Sequence, residues 1–127
     1  MIVLDASVLI AHLDSTDAHH DAARRVLHSA AGQDLAASVL TVAEVMVGPA
    51  RDRRGHIVDE VLDALHITSV PLRPDDAATL ADLRATTGLR MPDCCVLHAA
   101  QTVGGAVATF DQRLADAARL LGVVVVD

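Results

Sequence analysis

The stretch Met1-Ile2-Val3-Leu4-Asp5-Ala6-Ser7-Val8-Leu9-Ile10-Ala11-His12-Leu13 decides how this chain is read. Its opening apolar residues are too few for anything but a short buried strand, expected over residues 2–5. The apolar run over 8–13 then reads as a helix, so one carboxylate, Asp5, sits where strand hands over to helix.

The same alternation repeats outward from that point. A helix is expected over 18–31 with Gly32 as its stop, a strand over 35–38, and a helix over 41–47 ended by Gly48-Pro49. Past the Arg-rich residues 51–54, the apolar positions Ile57, Val58, Val61, Leu62 and Leu65 mark an amphipathic helix, followed by a strand over 67–70. Pro74 suits a helix start, Leu80 and Leu83 supply an apolar face, and Gly88 breaks it. Asp93 opens a small-residue helix over 94–103 closed by Gly104-Gly105. A strand over 106–109 leads to Asp111, a helix over 112–121 has Gly122 past its end, and a last strand covers 123–126. Strands alternating with helices, and apolar on both faces, specify an α/β fold: a three-layer α/β/α sandwich with a mainly parallel central sheet. With 127 residues, 52% of them apolar, a single domain over 1–127 is expected.

Composition narrows the function classes. No stretch approaches the ~20 apolar residues of a bilayer span, and the start lacks the basic region of a secretory signal, so a cytoplasmic protein without membrane contact is expected. A net charge of −7 excludes a general electrostatic grip on nucleic acid, so any such role must be local. The chain has no Lys, and Phe110 is its one aromatic residue, which argues against base stacking as the main mode of recognition. Adjacent Cys94 and Cys95 are poorly placed to pair with each other and read as core-fillers; a zinc site would want further ligands at C-x-x-C or H-E-x-x-H spacing.

Four acids remain. In open parallel sheets, ligands collect beyond the carboxyl ends of the strands, where Asp5 and Asp111 fall. Glu44 lies in the first turns of the helix after the second strand and Asp93 opens its own, so both can face that edge. Each acid alone has a plainer explanation. Thr41-Val42-Ala43-Glu44 matches a capping box, and Asp5, Asp93 and Asp111 can each cap the helix that follows. Capping, however, does not require a carboxylate at every one of these positions. Should the four converge, each pair ~4 Å apart repels by about 4 kcal/mol at an effective dielectric near 20. A domain stable by only ~5–15 kcal/mol needs a cation or shared protons to offset that. All-oxygen ligands select hard cations such as Mg²⁺ or Mn²⁺.

The order MIVLDAS, LTVAEVMVG, MPDCCVLHAAQ, VATFDQRL resembles the PIN-domain nucleases, and in length and layout the VapC-type toxins of bacterial toxin–antitoxin pairs. The resemblance covers nearly the whole chain. It implies a metal-dependent endoribonuclease that hydrolyses RNA and arrests growth until a cognate VapB-type antitoxin occupies it, and it implies a homodimer. It places the catalytic and metal-binding acids at Asp5, Glu44, Asp93 and Asp111, with Ser7 and Thr109 as supporting hydroxyls that orient carboxylates or water. Asp5 and Asp93 with Asp111 would hold the first ion, and Glu44 would act directly or through water. There are departures: Ala6 replaces a frequent Thr, Cys94-Cys95 replaces small aliphatics, and Arg113 stands where many relatives carry a further acid, leaving Asp116 as a weak substitute for a second metal.

Rival readings differ in what they need. A receiver domain also sets acids around Mg²⁺ but relies on a Lys, and a nucleotide switch needs G-x-x-x-x-G-K-[ST]; neither is present. A non-catalytic acidic module that docks an Arg-rich partner, and a PIN nuclease of RNA processing without a toxin role, stay open. Arg51, Arg53 and Arg54 with Arg24 and Arg25 could guide phosphates or form solvated faces. His98 could approach the site edge or be packed.

Overall fold

The computed structural model describes residues 1–126; Asp127, the end of the expected domain, lies outside the described residues. In chain order the elements are β1 (Ile2–Leu4), α1 (Ala6–Leu13), α2 (His20–Ser29), β2 (Leu35–Ser38), α3 (Val39–Arg51), α4 (Gly55–Ala64) and β3 (Ile67–Val70). A 3₁₀ turn (Pro74–Asp76), α5 (Ala77–Thr87), α6 (Met91–Val103), β4 (Ala106–Ala108), α7 (Gln112–Leu120) and β5 (Val125–Val126) complete it.

The sheet has the order β3-β2-β1-β4-β5 and every pairing is parallel. Strand residues alternate between two cores. Ile2, Leu4, Leu35, Ala37 and Ala108 pack with buried residues of α1 to α4, while Val3, Ala36, Val107 and Val70 pack with those of α5 to α7. The three inner strands β2, β1 and β4 are therefore covered on both faces, which is why they read as largely apolar runs, whereas edge strand β3 exposes Thr68 and Ser69. Cys94 and Cys95 are buried free thiols, and Cys94 joins the second core.

β1 stands at the centre, with β2 on one side and β4 on the other. Chain order reverses there, and the crevice beyond the carboxyl ends of β1 and β4 is where such sheets place ligands. The entry to β4 depends on a close approach: a Cβ on Gly105 would stand 2.7 Å from the Met1 carbonyl oxygen. That carbonyl accepts the Ala106 N–H at 3.1 Å and sets the register of β4 on β1. Gly105 is thus more than a helix stop.

Element bounds differ from expectation for local reasons. α3 starts at Val39, two residues early, because Ser38 Oγ accepts the Leu40 N–H at 3.4 Å and is the cap. It also continues through Gly48-Pro49 to Arg51. Pro49 lacks a donor, yet its own carbonyl accepts the N–H groups of Asp52 and Arg54 at 3.1 and 2.7 Å and holds the last turn together. α2 starts at His20, not residue 18, because Asp17 Oδ1 accepts the His19 N–H at 2.8 Å and keeps that stretch in a turn. It also stops at Ser29. β5 is shorter than its apolar run, although the Val124 carbonyl still accepts from Val107 at 2.8 Å.

Candidate active site

Asp5 follows β1 and occupies the N-cap position of α1, but its side chain makes no capping bond. Its Oδ2 instead accepts the hydroxyls of Ser7 and Thr109 at 2.7 and 2.8 Å. The carboxylate, 7% exposed, is thereby held across the β1–β4 crevice by residues far apart in sequence. Both hydroxyls also accept: Ser7 Oγ takes the Phe110 N–H and Thr109 Oγ1 the Asp111 N–H, each at 3.0 Å. Ser7 and Thr109 therefore lock the β1–α1 and β4–α7 junctions to each other and leave Asp5 Oδ1 for another partner.

Asp111 is the N-cap of α7, and here the plainer reading holds, since Oδ1 accepts the N–H groups of Arg113 and Leu114 at 2.9 and 3.3 Å. Asp93 is not a cap. α6 begins at Met91 with Arg90 as N-cap, because Pro92 tolerates the first turn where a donor is not needed; Asp93 is the third helical residue, 9% exposed. Glu44 lies exposed on α3, and the expected capping box with Thr41 does not form. Thr41 Oγ1 is buried without a hydrogen-bond partner among the described residues.

Two of the four acids, Glu44 and Asp93, feel the charges of their acidic neighbours. Partial burial first, then the charges of Asp5 and Asp93, push the Glu44 carboxyl above its ordinary pKa, against the opposing pull of Arg90. Asp93 is raised by burial and then by Asp5 and Asp111, with Arg90 and Arg113 opposing. Three of the acids also stand at helix starts, which offset roughly 0.3–1 kcal/mol each, less than a close carboxylate pair costs. The net effect still favours protons, or another cation, on Glu44 and Asp93. Arg90 was not singled out by sequence; its place directly before the MPD motif is the only signal that could have flagged it.

Other expectations are settled by position. His98 is buried with Nε2 3.1 Å from Asp76 Oδ1, so it ties α6 to the 3₁₀ turn and does not join the acids. Asp116 accepts from Gln112 at 2.7 Å and pairs with Arg119 at 3.5 Å on the exposed side of α7. Arg54 lies with Glu44 in the wall of a separate groove of about 620 Å³ between α1, α3 and α4, lined also by Ile10, Val45 and Ile57.

Among the described residues, no three acids, histidines or cysteines stand close enough to enclose a metal ion ready-made. The donor set nevertheless fits a hard cation. Mg²⁺ commonly uses only one or two carboxylates and completes its shell with water and phosphate oxygens, and Glu44 and Asp93 keep a raised proton affinity despite Arg90 and Arg113.

A PIN-domain family model matches residues 2–120. The chain belongs to the PIN-domain family. This family of nucleases is generally dependent on divalent metal. Among similar solved structures, a toxin–antitoxin complex from Klebsiella pneumoniae matches at 24% identity and a TM-score of 0.79, covering 100% of this chain and 97% of that one. VapC20 of Mycobacterium tuberculosis, a toxin that cleaves the sarcin–ricin loop, matches at 16% identity and a TM-score of 0.78, covering 92% and 95%. FitAcB from Neisseria gonorrhoeae matches at 26% identity and a TM-score of 0.72, covering 100% and 97%. No curated protein sequence matches significantly. Among the described residues no helix is long and apolar enough to cross a membrane.

Proposed function

We propose that this PIN-domain protein is a divalent-metal-dependent endoribonuclease acting as the toxin of a type II toxin–antitoxin pair. The observation that carries the catalytic part is the Asp5 carboxylate, buried, pinned on one oxygen by Ser7 and Thr109, and surrounded by the charges of Asp93, Glu44 and Asp111. Asp5 and Asp93, with Asp111, are the residues that would hold Mg²⁺ or Mn²⁺. When bound, the ion lowers the pKa of a water and offsets charge on the phosphodiester oxygens.

The chain's own residues do the rest. Ser7 and Thr109 keep Asp5 oriented, so that little reorganisation accompanies phosphate binding. Glu44, exposed and with raised proton affinity, would act on the attacking water directly or through another water. Water's oxygen bonds to phosphorus, the bond to the 3′-oxygen breaks, and a proton reaches that oxygen, leaving 5′-phosphate and 3′-hydroxyl ends. Arg90 and Arg113 flank the acids and supply the local positive charge that a chain of net charge −7 otherwise lacks.

Toxin–antitoxin complexes among the similar structures support an antitoxin partner, whose cation would enter the same acidic pocket, and a homodimer remains the expected assembly. The test is cleavage of labelled RNA with Mg²⁺ or Mn²⁺, with and without chelator. Cleavage abolished by chelator supports the enzyme, and chelator-resistant cleavage, or none, opposes it. Growth arrest on conditional expression without antitoxin separates a toxin from a processing nuclease.

A further inference from the structure

The chain's one aromatic residue, Phe110, stands between Thr109 and Asp111, and its N–H donates to the same Ser7 hydroxyl that holds Asp5. Its ring is not solitary. The His19 imidazole lies over it with centroids 4.8 Å apart and planes 15° from parallel. Phe110 is partly buried against the core shared by α1 to α4, while His19 is exposed. The exposed His19 ring therefore stacks on an aromatic side chain whose backbone lies between Thr109 and Asp111.

The segment that carries His19 is braced. Asp14 Oδ1 accepts the Thr16 N–H and hydroxyl at 2.9 and 2.6 Å, and Asp17 Oδ1 accepts the His19 N–H at 2.8 Å. His20 Nδ1 stands 2.7 Å from the Ala11 carbonyl oxygen. The imidazole is thus presented by a pre-ordered turn, which lowers the entropic cost of stacking on it.

We propose that the His19–Phe110 pair is a stacking platform for a nucleobase of the RNA substrate, the one flanking the phosphate held at the acids. The proposal rests on the nuclease reading. Unstacked RNA bases are commonly taken on Phe, Tyr, Trp or His rings, and one ring beside the site can select a base without the aromatic groove that composition excludes.

The test has two arms. In the first, RNA and its counterpart abasic at the flanking nucleotide are cleaved by wild type, His19→Ala and His19→Phe. Wild type should lose roughly ten-fold in kcat/KM on the abasic substrate. His19→Ala should show that loss already on intact RNA and no more on the abasic one, and His19→Phe should recover it. An equal abasic penalty in wild type and His19→Ala overturns the platform, because a merely structural histidine would leave the penalty unchanged. The second arm needs no cleavage. The chain has no Trp, so His19→Trp carries the sole indole, and with Ca²⁺ its emission should be quenched by short oligoadenylate but not by an abasic ribose-phosphate oligomer. Quenching without any RNA cleavage by wild type would sink the nuclease reading and with it the platform's role toward a cleaved substrate, while base binding itself would stand. Cleavage without base-dependent quenching would do the reverse.

Discussion

The β1–α1 and β4–α7 junctions are chemically alike, each a short apolar strand, an acid at the N-cap position and an apolar-faced helix, yet they spend their acids differently. Asp111 caps its helix through Oδ1, whereas Asp5 caps nothing and is held by Ser7 and Thr109. A carboxylate at a helix start is available for a ligand when other hydroxyls hold it in place. The difference also shows how one junction supports the other, since Thr109 belongs to the β4 side and serves the acid on the β1 side.

Breaking the Asp5 side of this comparison should have the largest effect. Asp5→Asn should lower RNA cleavage about a thousand-fold, the rate equivalent of the several kcal/mol a bound metal contributes, while a thermal melt shows a fold retained or slightly more stable. Activity near wild type would remove Asp5 from the site. Next, Thr109→Val or Ser7→Ala should cost about 10–100-fold in activity or Mg²⁺ affinity, read by titrating the metal in the cleavage assay. No change in either would mean that the two hydroxyls merely close turns.

On the capping side the effect is smaller and of another kind. Asp111→Ala should destabilise the protein by about 1 kcal/mol in urea unfolding, and Asp111→Ser should recover most of that stability without recovering activity. If Asp111→Ser cleaves as well as wild type, Asp111 is a cap alone.

The smallest effect is in pH dependence. Glu44 and Asp93 have raised folded-state pKa values, so as pH rises from about 4 the unfolded chain loses these protons before the folded one does. Their contribution to stability therefore falls as pH rises toward the raised values and levels off above them. Asp14 and Asp76, lowered by hydrogen bonds from Thr16 and Arg73, act oppositely, losing stability as pH falls. Glu44→Gln should thus flatten part of the decline in metal-free melting temperature with pH, and Mg²⁺ should raise that temperature more at neutral than at acid pH. A profile unchanged by Glu44→Gln would contradict the influence of these neighbouring charges.

Much of the fold was legible because inner parallel strands buried on both faces must be largely apolar, and helical runs separate them here. The sites of failure are instructive. Ser38 rather than Thr41 caps α3, a competition between neighbouring hydroxyls that spacing does not decide. Pro49 stays inside α3 because its carbonyl collects two later N–H groups, which only the three-dimensional turn reveals. At the candidate site, the order of motifs suggested the four acids, but the pinning of Asp5 by Thr109 spans 104 residues and depends on β1 pairing with β4. Phe110 was noted only for being alone; its contact with His19 brings together two loops whose approach no local pattern encodes.

The most direct test is a crystal grown with Mn²⁺ and examined by anomalous scattering. A peak in coordination contact with Asp5 Oδ1 and Asp93, with Asp111 or Glu44 reaching it directly or through water, is the predicted result. Well-ordered Asp5 and Asp93 side chains with no peak between them, or a peak bound elsewhere, would contradict the account.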